Sequence, residues 1–573
     1  MSENGIEADT AEPRKLGGLR GLRDHLLAPF SNTGLFFAAL FFFTSLTPSM
    51  IPRPSLAQAG LSGLCLAAGY GLGVFLHWLW TYLQLPVLRE TTSARLRKFI
   101  IGFFVVLAVW GLWMGQRWDN VVRSLMEVPP VGMGRIFVIG LVALVIALVL
   151  VVLGRAVGMY VRAVMRFVAR HLPRRIANVL GVIVAVLLLT GLVNGVIVES
   201  VINMLDESYR RADALIPPEM EAPTNPLHTG SPASLVAWNE LGRQGRRYIA
   251  ATPTAADIAV FAGESAMAPL RVYAGLPAAD SPEERAKLAL EELKRVDGFS
   301  RKALVIITPT GSGWVDPSGI DGIEYLYRGD VASVSVQYSY LSSPMTLLMD
   351  PETGRTTARA LFREVYGYWR TLPEEQRPKL YLHGLSLGAF NSERSFEMFE
   401  LLDAPIQGAV WSGPPFSTPQ WAAATRTRNP GSPIWRPEFR DGSFVRFMNQ
   451  DGLGDGDYAP WGPMRVVYLQ YGSDAVTFFE PSGFLTEPEW LKAPLPPDIS
   501  PSMRWYPLVT MTQTAMDMSL SMGAPMGFGH VYSPSHYMAA WLQATGIDDW
   551  APEDVKRLGD YLDERRQTEL SGN

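Results

Sequence analysis

The sequence predicts two bodies in one chain, an N-terminal bundle of about five apolar transmembrane helices and an α/β domain with a mostly parallel sheet. Two observations carry this. Nearly charge-free apolar runs crowd the first 200 residues, and beyond Pro217 short runs rich in Val, Ile and Tyr alternate with amphipathic helical patterns. Composition agrees: of 573 residues 48% are hydrophobic and 18% charged, against roughly 25% charged in soluble domains. A chain of this length calls for at least two domains. The net charge of -5 leaves no broad basic surface, so no nucleic-acid partner is expected. One cysteine, Cys65, excludes intramolecular disulfides and cysteine-based zinc sites.

The apolar runs span about Leu35–Met50, Arg53 to Arg89, Lys98 to Arg117, Arg135 to Arg155 and Arg175 to Glu199. About 20 apolar residues cross a hydrocarbon layer, so the last four are long enough and the first is marginal. The residues ahead of the first run are polar and mixed in charge, so that run reads as an uncleaved anchor. Lys and Arg stay on the cytoplasmic side. Arg14, Lys15, Arg20 and Arg23 precede the first run. Arg89, Arg95, Arg97 and Lys98 follow the second, and Arg155, Arg162, Arg166, Arg170, Arg174 and Arg175 follow the fourth. The alternate connections carry chiefly Arg53, and Arg117 with Arg123. The expectation is a plasma-membrane protein with its N-terminus inside and everything after Glu199 outside, touching membrane lipids. The spans hold little ionisable material, which argues against a transporter. The expected division is 1–30 cytoplasmic, 31–200 transmembrane, 201–230 a Pro-rich linker and 231–573 the α/β domain.

In the α/β domain, strands are expected at Leu270–Tyr273, Ala303–Thr308, Ala332–Tyr338, Leu380–Leu382, Gln407–Trp411 and Arg465–Gln470. The stretch Ser281–Val296 opens with a Ser-x-x-Glu capping signal and turns Leu288, Leu290 and Leu293 inward. In "YLHGLSLGAF" the strand Leu380–Leu382 runs into Gly384-Leu-Ser386-Leu-Gly388, and "AFNSERSFEMF" continues as a helix. A nucleophilic serine at such a turn needs small neighbours so that the helix passes close to the strand. It also needs a base and an orienting acid, in the chain order Ser, Asp or Glu, His. Two histidines follow Ser386. His530, after a Gly-Phe-Gly turn, is favoured over His536. Asp474, at the end of the run "RVVYLQYGSD", is favoured as the acid over Glu480, Asp403 and Asp517. Oxyanion donors are expected from the N–H of Leu387 and from Gly313 or Trp314 in "TPTGSGWVDP". No phosphate loop, metal site or cofactor is implied.

With these residues in view, the chain resembles the bacterial membrane α/β-hydrolase family that joins a multi-span N-terminal domain to a C-terminal catalytic domain. The resemblance is carried by "GSPASLVAWNELGRQGRRYIA", "TPTGSGWVDP", "VQYSYLSSP", "GLSLGAF", "WSGPPFS", "RNPGSPIWRP", "VYLQYGSDAV" and "GFGHVY". It implies an α/β-hydrolase fold with Ser386 as nucleophile and His530 as base. Members often read Gly-His-Gly-His where this chain has "GFGH", so the upstream position is Phe528 here. The expected activity is a serine esterase or lipase-like hydrolase acting on a lipid or acyl-ester substrate. The lipid inference leans on Trp314, Trp411, Met522 and Met526 near the site. An acyltransferase using the same acyl-enzyme, and a scaffold without catalysis, are the competing expectations.

Overall fold

In the computed structural model, which describes residues 29–86, 90–170, 173–192, 208–216, 220–262 and 266–571, the apolar runs are helices. Arg14, Lys15, Arg20, Arg23, Arg89, the end of the fifth run at 193–199 and the head of the linker at 217–219 lie outside the described residues. Among the described residues three helices are long and apolar enough to cross a membrane: Ser55–Tyr82, Thr92–Leu125 and Arg135–Val168. The first run forms only the 14-residue helix Asn32–Ser45, and the fifth contributes Arg174–Leu192. Five spans are therefore not seen. The first run is cut short because Thr47-Pro48-Ser49 ends its helix.

The chain forms two compact units. One comprises Met1–Leu46, Ser55–Met114 and Met133–Glu199; the other comprises Thr47–Pro54, Gly115–Gly132 and Ser200–Asn573. In the first unit small residues let helices approach closely, as is usual within a bilayer. A β-carbon at Gly73 would stand 2.3 Å from the Thr33 carbonyl oxygen, and one at Gly63 would stand 2.9 Å from that of Ala143. Large apolar side chains such as Phe99, Phe137 and Leu141 are exposed on these helices.

The second unit is built on an eight-stranded sheet. Its strands are β1 (Leu270–Ala274), β2 (Ala303–Thr308), β3 (Val331–Val336), β4 (Lys379–Leu385), β5 (Gly408–Ser412), β6 (Val445–Asn449), β7 (Gly452–Leu453) and β8 (Arg465–Leu469). The spatial order is β1-β3-β2-β4-β5-β8-β6-β7, parallel except for β7 against β6. Alternation along the strands feeds two cores. Leu304, Ile306, Leu380 and Leu382 face one, and Val305, Ile307, Tyr381 and Val410 face the other. Helices Pro282–Arg295 and Pro351–Thr371 cover the first face, and Pro317–Leu326 and Pro534–Thr545 cover the second. Ser281 caps its helix as expected, its hydroxyl accepting the Glu284 N–H at 3.2 Å.

Strands β6 and β7 were not expected from the sequence. Arg446 masks β6: it is a charge in a buried strand, tolerated because its guanidinium lies 3.9 Å from the ring centre of Trp461 and donates to the Ala459 carbonyl. The fold positions the site through β2 and β4, which are neighbours. The helix after β2 leaves on one face and the helix after β4 on the other, opening a crevice at the strands' C-terminal ends.

Candidate active site

Ser386 stands at the end of β4 with φ 58° and ψ -125°, a backbone conformation costly for any residue but glycine. Helix Leu387–Glu393 starts at once behind it. The flanking glycines are required sterically. A β-carbon at Gly384 would stand 2.4 Å from the Gly388 carbonyl carbon, and one at Gly388 would stand 2.3 Å from the Thr308 carbonyl oxygen. The Ser386 N–H donates to the Ser412 carbonyl at 3.0 Å, tying the turn to the end of β5. As the first residue of its helix, Leu387 has an N–H with no intrahelical acceptor, available to a ligand oxygen.

Asp474 follows β8, and its two oxygens are divided between tasks. Oδ1 accepts the Val476 N–H at 2.9 Å, capping the short helix Ala475–Phe478. Oδ2 accepts from His530 Nδ1 at 2.7 Å, from the Tyr532 hydroxyl at 2.8 Å and from Thr477 at 3.3 Å. With a carboxylate as acceptor, Nδ1 carries the imidazole proton and Nε2 is left as a base. His530 Nε2 is buried and has no hydrogen-bond partner among the described residues. Gly413, one residue beyond Ser412, connects the halves. A β-carbon there would stand 2.6 Å from His530 Cε1 and 2.9 Å from Asp474 Oδ2. Ser386 and the His530–Asp474 pair thus flank the same end of β5. Both Ser386, 7% exposed, and His530, 3% exposed, are screened from solvent.

The loop carrying the imidazole has positive φ at Gly527 and Gly529. Its Gly529 N–H donates to Ser473 Oγ at 2.9 Å, and Ser473 in turn donates to Asp498 at 2.7 Å. Tyr532 stacks on Tyr471 with ring centres 4.3 Å apart. Burial and the neighbouring Asp474 charge hold its phenol far above the usual range, so it stays a donor. At the last residue of helix Leu387–Glu393, Glu393 accepts from Tyr468 at 2.7 Å and from the Trp421 N–H at 3.1 Å, and also from the Gln420 N–H. Burial pushes its carboxyl up to about 6 despite these bonds.

The competing residues are engaged elsewhere. His536 Nδ1 pairs with the Tyr471 hydroxyl at 2.6 Å, and burial lowers its pKa. Asp403 is exposed beside Arg370, Glu480 is half-buried at a turn, and Asp517 is bound by Arg53. Gly313 requires a correction as an oxyanion donor. Its N–H closes the turn on the Thr310 carbonyl at 2.9 Å and is already spent. Its φ of +84° and the Tyr273 hydroxyl, which would lie 2.5 Å from a β-carbon there, account for the glycine. Trp314 is half-buried with Arg566 5.9 Å from its ring centre. Trp411 lies in the core, donating to Ser392 at 3.0 Å. Met522 is exposed and Met526 half-buried. Sequence reasoning gave no role to Gly413, Ser473, Asp498 or Tyr532. Only Tyr532 had a signal, standing two residues after His530.

Residues 270–558 match the alpha/beta-hydrolase family, and residues 46–253 match that family's N-terminal region. The chain belongs to the alpha/beta-hydrolase family. Comparisons with curated proteins and with solved structures give no match. The N-terminal match begins in the connection ahead of Ser55–Tyr82 and covers the three long apolar helices of this α/β-hydrolase.

Proposed function

We propose that this α/β-hydrolase is a membrane-anchored serine hydrolase that cleaves an ester in a lipid or lipid-linked substrate. The observation that carries the reading is the 2.7 Å His530–Asp474 contact, with an unpartnered Nε2, at the strand end to which the Ser386 backbone is bound. Ser386 Oγ attacks the ester carbonyl carbon while its proton passes to His530 Nε2. The carbon–oxygen bond to the alcohol then breaks. The alcohol leaves with that proton, and Ser386 keeps the acyl group. Water repeats the sequence, giving its proton to Nε2, releasing the acid and restoring Ser386. Asp474 holds the imidazole in the tautomer this requires. The Leu387 N–H receives the developing oxyanion, with Trp314 as the remaining candidate for a second donor.

The apolar helices supply the anchor and make lipid esters the accessible substrate class. The sparsely basic connections, Thr47–Pro54 and Gly115–Gly132, belong to the same compact unit as the catalytic sheet, whereas Arg155, Arg162, Arg166 and Arg170 do not. With five spans this supports an N-terminus inside and the hydrolase outside the plasma membrane; three spans would put Thr47–Pro54 and the sheet on opposite sides. Acyl transfer to a hydroxyl acceptor is the second reading, favoured by the shielding of Ser386 and His530 from water. The test is a membrane-impermeant tagged fluorophosphonate on intact cells, comparing wild type with Ser386→Ala and His530→Ala. Labelling of wild type alone is expected. Labelling only after lysis overturns the orientation, and none in either condition overturns the chemistry. An added alcohol that turns free acid into ester product selects acyl transfer.

A further inference from the structure

The first connection between apolar helices, Thr47–Pro54, is packed into the catalytic unit along helix Val509–Leu520. Arg53 Nε donates to Asp517 Oδ1 at 2.6 Å, and the Met50 N–H donates to Oδ2 at 3.1 Å, joined by the Ser49 hydroxyl. One turn earlier, Gln513 receives Arg53 on its carbonyl at 3.2 Å and donates to the Thr47 carbonyl at 3.1 Å. The Arg53 and Asp517 side chains are almost wholly buried. A buried ion pair is weak evidence for stability, because desolvation offsets the attraction; its firmer consequence is a fixed geometry.

What this geometry fixes is the approach to His530. Helix Val509–Leu520 runs into the turn Ser521–Gly523, and the Ser521 carbonyl accepts the His530 N–H at 3.4 Å. Ile51 packs with Val122, Met126, Leu520, Ala524 and Phe528, and its γ-methyl would lie 3.3 Å from a β-carbon at Gly529. A loop with Gly527 and Gly529 at positive φ has little stiffness of its own and must be held from outside. Ser473 holds one side, as described; Ile51 and the Arg53–Asp517 pair hold the other.

We infer that Arg53 and Ile51 are positioning residues for His530, so that the connection between the first two apolar helices is a working part of the hydrolase site. The inference rests on the serine-hydrolase reading, and the test separates the two. Full-length protein in detergent micelles is titrated with a fluorophosphonate to count active sites, and turnover of p-nitrophenyl butyrate is measured per site. Wild type is compared with Ile51→Val, Ile51→Ala, Arg53→Lys and Arg53→Met. Wild type should label. Ile51→Ala and Arg53→Met should each lose about tenfold in kcat per titrated site with KM within about twofold, as expected when a catalytic group is misplaced and substrate contacts are kept. Ile51→Val and Arg53→Lys should recover most of the loss. If Arg53→Met does not fold, the Ile51 series decides. Unchanged kcat per site in Ile51→Ala, and in Arg53→Met where it folds, with only a lower melting temperature, would show plain structural roles and overturn the inference. Wild type that fails to label removes the serine-hydrolase reading itself.

Discussion

Gly413→Ala tests the active-site geometry with one methyl group. The new β-carbon would stand 2.6 Å from His530 Cε1 and 2.9 Å from both His530 Nδ1 and Asp474 Oδ2. Carbon–carbon contacts settle at about 3.5–4.0 Å, so the imidazole must retreat by about 1 Å. A misplacement of that size costs about 10²-fold in rate. At about 1.36 kcal/mol per tenfold, this is about 2.7 kcal/mol of transition-state stabilisation. A second, separate cost falls on folding, since Gly413 has φ +49°, where a side chain costs roughly 1–2 kcal/mol. Gly431→Ala is the control: its φ is +92°, and a β-carbon there meets nothing within 4 Å. Both variants should melt lower than wild type. Only Gly413→Ala should lose about 10²-fold in fluorophosphonate labelling rate. Labelling of folded Gly413→Ala within about threefold of wild type would refute the placement of the His530–Asp474 pair against β5.

Tyr532→Phe keeps the stacked ring and deletes one donor to Asp474, so denaturant unfolding should show a loss of about 1.5–3 kcal/mol, the range for hydrogen bonds to charged groups. Gly388→Ala should abolish labelling and lower the melting temperature, because the helix after Ser386 must lift off the Thr308 carbonyl; retained labelling would contradict the close helix–strand approach. Glu393 gives a pH signature. Its pKa is raised from 4.5 to about 6, so the folded state binds the proton more tightly, and its contribution to stability falls as pH rises through that window, by about 2 kcal/mol. Glu393→Gln lacks this slope, so its stability relative to wild type should rise between pH 4.5 and 6 and then level off; a constant difference would contradict the raised pKa.

The parallel core of the sheet was legible because β2, β4, β5 and β8 are buried on both faces and read as apolar runs between turn signals. Ser386 was legible through the glycines that its turn demands. Asp474 was legible only as the residue ending a β-like run, and its double service to the Val476 N–H and to His530 appears only in three dimensions. Gly313 misled, since a glycine in a loop after a strand reads alike whether its N–H is free or closes a turn. The expected boundary near residue 200 also misses part of the catalytic unit. Thr47–Pro54 and Gly115–Gly132 read as mere connections between apolar runs because local pattern carries no trace of Asp517, far along the chain, as the partner of Arg53.

Those two connections impose an order on biogenesis. Met50 is fully buried among the residues of a catalytic core, yet it is made before any strand of the sheet. During synthesis, Thr47–Pro54 and then Gly115–Gly132 are made before the rest of the compact unit they belong to. Helix Val509–Leu520 docks on the earlier of them only near the end of translation. A chain started after residue 200 would leave Asp517 as a buried carboxylate without its guanidinium. The unit that holds the sheet thus includes two early segments of the chain, and it is complete only when both are present.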